Sequence, residues 1–433
     1  MQHNYHSLRS AMALSLALWI GACAAFPPGH RRCAPGVYEG GGDRVVLYER
    51  ENDAGAAETK YIFTDGRRGV LGDVSAILTC ANGLVSASDQ TKFAKTVLRE
   101  TDTTFSSNEL ALAGRLIEPV SADGARKPPL AVFVHGSEST PTISYSPYPY
   151  LFAAQGVSVF VYDKRGTGQS EGDYNQDFQA LAADASAAAQ EAQRLAEGRY
   201  SRFGYFGGSQ GGWVAPLAAR KIGADFLVVG FGLVVSPLEE NAEQVFDEMR
   251  RAGYGEAEIE LAREVTDATG EIVASHFSNG FDELKRVKNK YGNKSWFSQI
   301  EGEFTGAVLR ADDEGLRSGK IEGFDDAQVP WRHDPLAVLR SLSMPQLWIL
   351  AGEDRAAPGK VTYERLSMLQ EEGLPVTIAV YPHTDHGIVE FTQNDDGSRT
   401  YTRFAKGYFR LAADMMKDVF NPPYGRGEIS HPH

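Results

Sequence analysis

Gly207-Gly208-Ser209-Gln210-Gly211 is the stretch on which the reading of this chain turns. It follows the apolar Phe203-Gly204-Tyr205-Phe206 and precedes the helix-prone Trp213-Val214-Ala215-Pro216-Leu217-Ala218-Ala219. A serine between a buried strand and a helix, with glycine two residues to either side, satisfies the G-x-S-x-G elbow in the context that gives it meaning. The turn must be sharp to hold the hydroxyl clear of the sheet, and Gly207 and Gly211 leave room for the backbone to double back. The following helix aims its first amides at the same spot, where negative charge is best held. Ser209 is therefore the candidate nucleophile.

Outward from the elbow, apolar runs at 130–135, 157–162, 202–207, 226–231, 346–350 and 376–381 alternate with helical sequence, including an alanine-rich stretch at 177–197. Uninterrupted apolar strands of this kind are buried on both faces, so the expected architecture is α/β, a mainly parallel sheet with helices on both sides. Between Ser236 and Pro335 the rhythm gives way to charged, helix-prone sequence too long for a connection, and it reads as a helical cap insert; a solvent-facing decoration is the alternative. Before the α/β region, short alternating stretches such as Arg44-Val45-Val46-Leu47-Tyr48 and Lys60-Tyr61-Ile62-Phe63 predict a small N-terminal β-rich domain, a packing or docking module. The expected boundaries are a signal segment over 1–23, the β-rich domain over 30–105, the first part of the core over 106–235, the cap over 236–335, the second part of the core over 336–420 and a tail over 421–433.

Several motifs now agree in order. Val132-Phe133-Val134-His135-Gly136-Ser137 and Tyr162-Asp163-Lys164-Arg165-Gly166-Thr167-Gly168-Gln169-Ser170 precede the elbow. Leu347-Trp348-Ile349-Leu350-Ala351-Gly352-Glu353-Asp354 and Val380-Tyr381-Pro382-His383-Thr384-Asp385-His386-Gly387 follow it. From Leu110 onward the chain resembles the α/β-hydrolase superfamily, particularly capped bacterial serine esterases and related serine peptidases. The resemblance implies that the amides of Ser137 and Gln210 form an oxyanion hole, that Asp354 is the catalytic acid and that His386 is the base. The order Ser209, Asp354, His386 is the one this fold uses. Glu138 departs from the pattern, since glycine is common at that place, and an acid beside the oxyanion site would weaken it or select substrates.

Rival residues are weaker. Asp334, before Pro335, reads as a turn residue, and His383 occupies a variable place in the base loop. Reading His383 and His386 as zinc ligands lacks a third ligand. His135, His276 and His333 need no special role, and Trp213, Trp296 and Phe297 read as packing anchors. The implied chemistry is cleavage of a small-molecule ester through an acyl-enzyme, with no metal or organic cofactor. A serine peptidase and a non-catalytic binding protein on the same fold are the alternatives.

The 433 residues carry a net charge of -14, which disfavours nucleic acid and anionic lipid as partners. Arg9, the apolar run Ala11 to Ile20 and the small residues Gly21-Ala22-Cys23-Ala24-Ala25 form a secretory signal pattern. Ala22-Cys23-Ala24 suits ordinary cleavage, whereas Ile20-Gly21-Ala22-Cys23 suits a lipobox with Cys23 lipidated, and the lipobox is preferred. The product would be secreted or periplasmic, with a membrane anchor if Cys23 is acylated. In an oxidising compartment Cys33 and Cys80 are expected to pair, two buried thiols being the alternative. Nothing in the sequence speaks to oligomeric state.

Overall fold

The computed structural model describes residues 33–52, 54–120 and 126–432. The signal segment 1–23 and Cys23 lie outside the described residues.

A nine-stranded sheet organises the α/β part, in the order Glu428–Ser430, Val376–Tyr381, Gln346–Ala351, Phe226–Gly230, Phe203–Gly208, Leu130–Val134, Ser158–Tyr162, Leu110–Pro119 and Leu98–Ser107. The six strands from Val376–Tyr381 to Ser158–Tyr162 are parallel, and the flanking ones are antiparallel. Five of those six are buried at every residue, which is why they read as unbroken apolar runs. The helix Phe178–Leu195 starts at Asp177, whose side chain accepts from the amides of Gln179 and Ala180. Its buried stripe of alanines, Ala182, Ala185, Ala188, Ala189 and Ala192, allows close approach to the sheet.

Two expected boundaries move. The strand Leu98–Ser107 pairs along its whole length with Leu110–Pro119, so it belongs to the large sheet and the β-rich module ends near Lys95, not at 105. Its mixed exposure, one face open, hides it in the sequence among the strands of the module. The segment 421–433 is no free tail: Glu428–Ser430 adds an antiparallel edge strand beside Val376–Tyr381, and Tyr424 is buried with its hydroxyl on Asp414.

The module is a seven-stranded sheet from Gly36 to Lys95. Strand alternation splits its apolar residues. Val45, Leu47, Tyr61, Phe63 and Phe93 form a private core closed by the Cys33–Cys80 disulfide, while Val37, Val46 and Ile62 pack with Leu151, Phe152 and Phe404 of the α/β part.

The insert is helical, with Pro237–Arg251, Glu256–Ala274 and Phe281–Tyr291 as its long members. Ser236 and Glu239 close a capping box at its entrance, and Asp334 caps Pro335–Leu339 at its exit, the turn role expected for that residue. Beyond the last parallel strand, Thr384–Asp385, Val389–Gln393 and Arg399–Phe404 form a small sheet that sequence patterning does not reveal.

Candidate active site

Ser209 stands at φ 51°, in the left-handed region, between the strand Phe203–Gly208 and the helix Gly211–Lys221. Its amide donates to the Gly230 carbonyl at 3.1 Å and its carbonyl accepts from Gly212 at 2.7 Å. A side chain at Gly207 would run into the Gly211 carbonyl, and one at Gly211 into the Val134 carbonyl, so both glycines are required by close backbone approach. The strained turn presents the hydroxyl at the carboxyl ends of the strands.

The hydroxyl lies 3.1 Å from Nε2 of His386, and Nδ1 of His386 lies 2.9 Å from Oδ2 of Asp354. The second oxygen of Asp354 accepts the amides of Ala356 and Ala357 at 3.0 and 2.8 Å. These bonds fix the carboxylate, which fixes the imidazole, which faces the serine. The three predicted residues therefore meet in one hydrogen-bonded line. His383 does not: it is 74% exposed and pairs with Glu353 at 2.7 Å. His276 likewise pairs with Asp326 at the surface, and the buried His135 packs on Tyr162 with neither ring nitrogen hydrogen-bonded.

Burial opposes charge on His386, but the adjoining carboxylates of Asp354, Asp385 and Glu303 outweigh it and lift its pKa above the ordinary 6.5. The imidazolium is thus favoured. The ring of Phe231 meets that of His386 edge-on, with centroids 5.0 Å apart.

Asp385 was not singled out in the sequence, yet it ties the acid and base loops together. Its Oδ1 accepts the amides of Arg355 and His386, each at 2.9 Å, while Oδ2 takes Arg399 at 2.7 Å and Tyr401 at 2.8 Å. The residue before His386 carries no signal of this duty in a single sequence.

Among the described residues the amides of Ser137 and Gln210 donate to no internal acceptor, which leaves both free for an oxyanion. The Glu138 carboxylate lies beside this turn: its Oε1 is 3.7 Å from His135 Nδ1, and its other oxygen sits over Gly136, where a side chain would meet it at 2.7 Å and Ser209 Cβ at 3.3 Å.

The cap contributes acids to the site, while its large aromatics pack inside it. Phe246, Phe277, Trp296 and Phe304 are buried in the cap's own interior, with Phe304 against Phe324 and Trp331 and Trp296 against Tyr291. Trp213 is similarly structural, stacked on Phe178 with its indole donating to the Val235 carbonyl. Glu240 and Glu303, by contrast, lie within electrostatic reach of Asp354 and His386. Burial, then the charges of Glu303 and Asp354, push the pKa of Glu240 well up. Glu303 is an exposed residue, yet partial desolvation of its carboxyl raises its pKa as well, opposed by His386 and helped by Glu248. The two are held side by side because Asn241 accepts the amides of Phe304 and Thr305 at 3.0 and 3.2 Å. Among the described residues neither carboxylate has an ion-pair or hydrogen-bond partner.

Sheet, elbow and the hydrogen-bonded line of Ser209, His386 and Asp354 are arranged as in the α/β-hydrolase fold. The chain belongs to the alpha/beta hydrolase family, whose sequence profile matches residues 131–397. No curated protein matches the sequence. Similar solved structures include an acylaminoacyl peptidase of Pyrococcus horikoshii, 19% identical with TM-score 0.43 over 82% of this chain. This chain spans about half of that peptidase, 47% of its length. An esterase of Pyrococcus furiosus is 15% identical with TM-score 0.42, over 75% of this chain and 92% of its own. A proline iminopeptidase of Mycobacterium smegmatis is 17% identical with TM-score 0.43, over 73% of this chain and 98% of its own.

The Cys33–Cys80 disulfide joins residues 47 apart in sequence. Among the described residues no helix is long and apolar enough to cross a membrane.

Proposed function

We propose that this hydrolase cleaves carboxylic esters through an acyl-enzyme on Ser209. The observation that carries the reading is the unbroken hydrogen-bonded line from Ser209 through His386 to Asp354. His386 takes the hydroxyl proton as Ser209 attacks the ester carbonyl, and Asp354 stabilises the imidazolium. The carbonyl oxygen gains charge and is met by the amides of Ser137 and Gln210. His386 returns the proton to the departing alcohol, then draws one from the water that releases the acid. The test is kcat/KM across an acyl-ester series and a peptide panel, in wild type and Ser209→Ala. Ester turnover lost in the variant supports the reading, and turnover kept would send the chemistry elsewhere.

A second reading, a peptidase acting on substrates with a free amine, draws support from Glu240 and Glu303. Two neighbouring carboxylates without a cation, beside the reacting groups, suit an ammonium on the substrate. Aminoacyl anilides cleaved faster than alkyl esters, and faster than their N-acetylated forms, would establish it.

We also read the chain as exported, on the strength of the disulfide and the apolar run before Cys23. Cys23→Ser releasing the protein from the membrane fraction supports lipid anchoring, and unchanged fractionation refutes it.

A further inference from the structure

Lys164 is an unusual residue to find buried: it is 3% exposed, two residues past the end of the strand Ser158–Tyr162. The residues around it are anchored on both sides. Asp163 accepts the amides of Ile143 and Gln169 at 3.0 and 3.3 Å, and Arg165 forms a two-bond pair with the fully buried Asp184 at 2.7 Å. The Lys164 side chain thus has little freedom, and its ammonium donates to the Gly136 carbonyl at 2.6 Å and to the Glu138 carbonyl at 3.4 Å. It also reaches the Gln210 side-chain oxygen at 3.5 Å. The carbonyl between those two, that of Ser137, accepts from the Tyr174 hydroxyl. Three successive carbonyls of the turn are therefore each held by a side chain.

The Gly136 carbonyl and the Ser137 amide are the two ends of one planar peptide group, so whatever fixes the first fixes the second. In a trans peptide they point in opposite directions, and a cation on the oxygen draws electron density from the N–H and strengthens it as a donor. We propose that Lys164 is a positioning residue that orients and polarises the Ser137 amide toward the oxyanion, an inference that rests on the esterase reading above. It touches no substrate and transfers no proton.

The cation is conditional. Burial pushes the pKa of Lys164 down to about 8, and the Glu138 carboxylate pulls the other way. The other groups facing it are His135, held neutral by burial and by Lys164 itself, and the Tyr174 ring, whose centroid lies 5.3 Å from the ammonium. The charged form exists below that value and is lost above it, so the oxyanion site weakens as pH rises.

The experiment measures kcat and KM for p-nitrophenyl butyrate in wild type, Lys164→Met and Ser209→Ala. In Lys164→Met, kcat is expected to fall about 10- to 100-fold with KM changed less than about threefold, since the lost interaction acts on the transition state. In wild type, kcat is expected to fall on the alkaline side with a midpoint near about 8, and this limb disappears in Lys164→Met. A variant within about threefold of wild-type kcat overturns the inference, as does a wild-type kcat that stays level from about pH 7 to about pH 10. The wild-type profile decides the matter even if the variant does not fold. Activity persisting in Ser209→Ala would instead overturn the esterase reading beneath it.

Discussion

Ser209, His386 and Asp354 are each held in place by neighbouring residues. Asp354 is aligned by the Ala356 and Ala357 amides, and His386 by Asp354 and by Asp385 through its own backbone. His386→Ala is accordingly expected to lose at least about a thousandfold in kcat/KM, while His383→Ala, an exposed ion pair, stays within about threefold. Equal losses would show that the base loop has been misassigned. The raised pKa of His386 has a direction that can be checked. The base form is needed for attack, so activity declines as pH falls through that pKa, and the acid limb of kcat/KM should have its midpoint above 6.5. Asp354→Asn, by removing the carboxylate that lifts it, should move that limb to lower pH. A limb at or below the ordinary value in wild type would contradict the electrostatics. At this scale the meeting of Ser209, Asp354 and His386 could be anticipated from the sequence because each sits in a loop after a strong apolar strand. Lys164, Asp385, Glu240 and Glu303 could not. Charged residues in Asp163-Lys164-Arg165 or Leu238-Glu239-Glu240 look like solvated surface, and only tertiary packing turns them inward.

The parallel strands were legible for the reason given by their burial: a strand covered on both faces has no polar face to interrupt it. Elements with one wet face were not. Leu98–Ser107 was grouped with the wrong sheet, and the three-residue Glu428–Ser430 is too short to leave a pattern. The cap's helices were visible, but the orientation of their side chains was not, because sequence says that Phe304 is apolar and Glu303 acidic without saying which side either faces. What the cap does offer the site is held by Asn241, fully buried between the helix Pro237–Arg251 and the 304–305 amides. Asn241→Leu removes acceptors from two buried amides and should destabilise the protein by about 2 kcal/mol or more in urea unfolding. A change below about 0.5 kcal/mol would mean that the cap is held by its apolar core alone.

Over the whole molecule, the β-rich module and the catalytic half form one packed body. Val37, Val46 and Ile62 fill one side of the contact. On the other, the Gly66 carbonyl accepts the Phe404 amide at 3.0 Å and Arg403 donates to the Asp65 carbonyl at 2.6 Å. These strands continue to Arg399, which holds Asp385 beside His386, so the module braces the base loop at two removes. The disulfide should stabilise this arrangement mainly by shortening the unfolded chain. For a closed loop of 47 residues that contribution is about 4 kcal/mol, and Cys33→Ser with Cys80→Ser should lower Tm accordingly. Both thiols should also resist alkylation until reduced, and free thiols in untreated protein would refute the bridge. The central claim, that Ser209 is the nucleophile of a covalent mechanism, is tested most directly by intact mass and peptide mapping after treatment with an alkyl fluorophosphonate. One adduct on Ser209, absent from Ser209→Ala and accompanied by loss of ester turnover, is the predicted result. An adduct on another residue, or full turnover by the labelled protein, would contradict it.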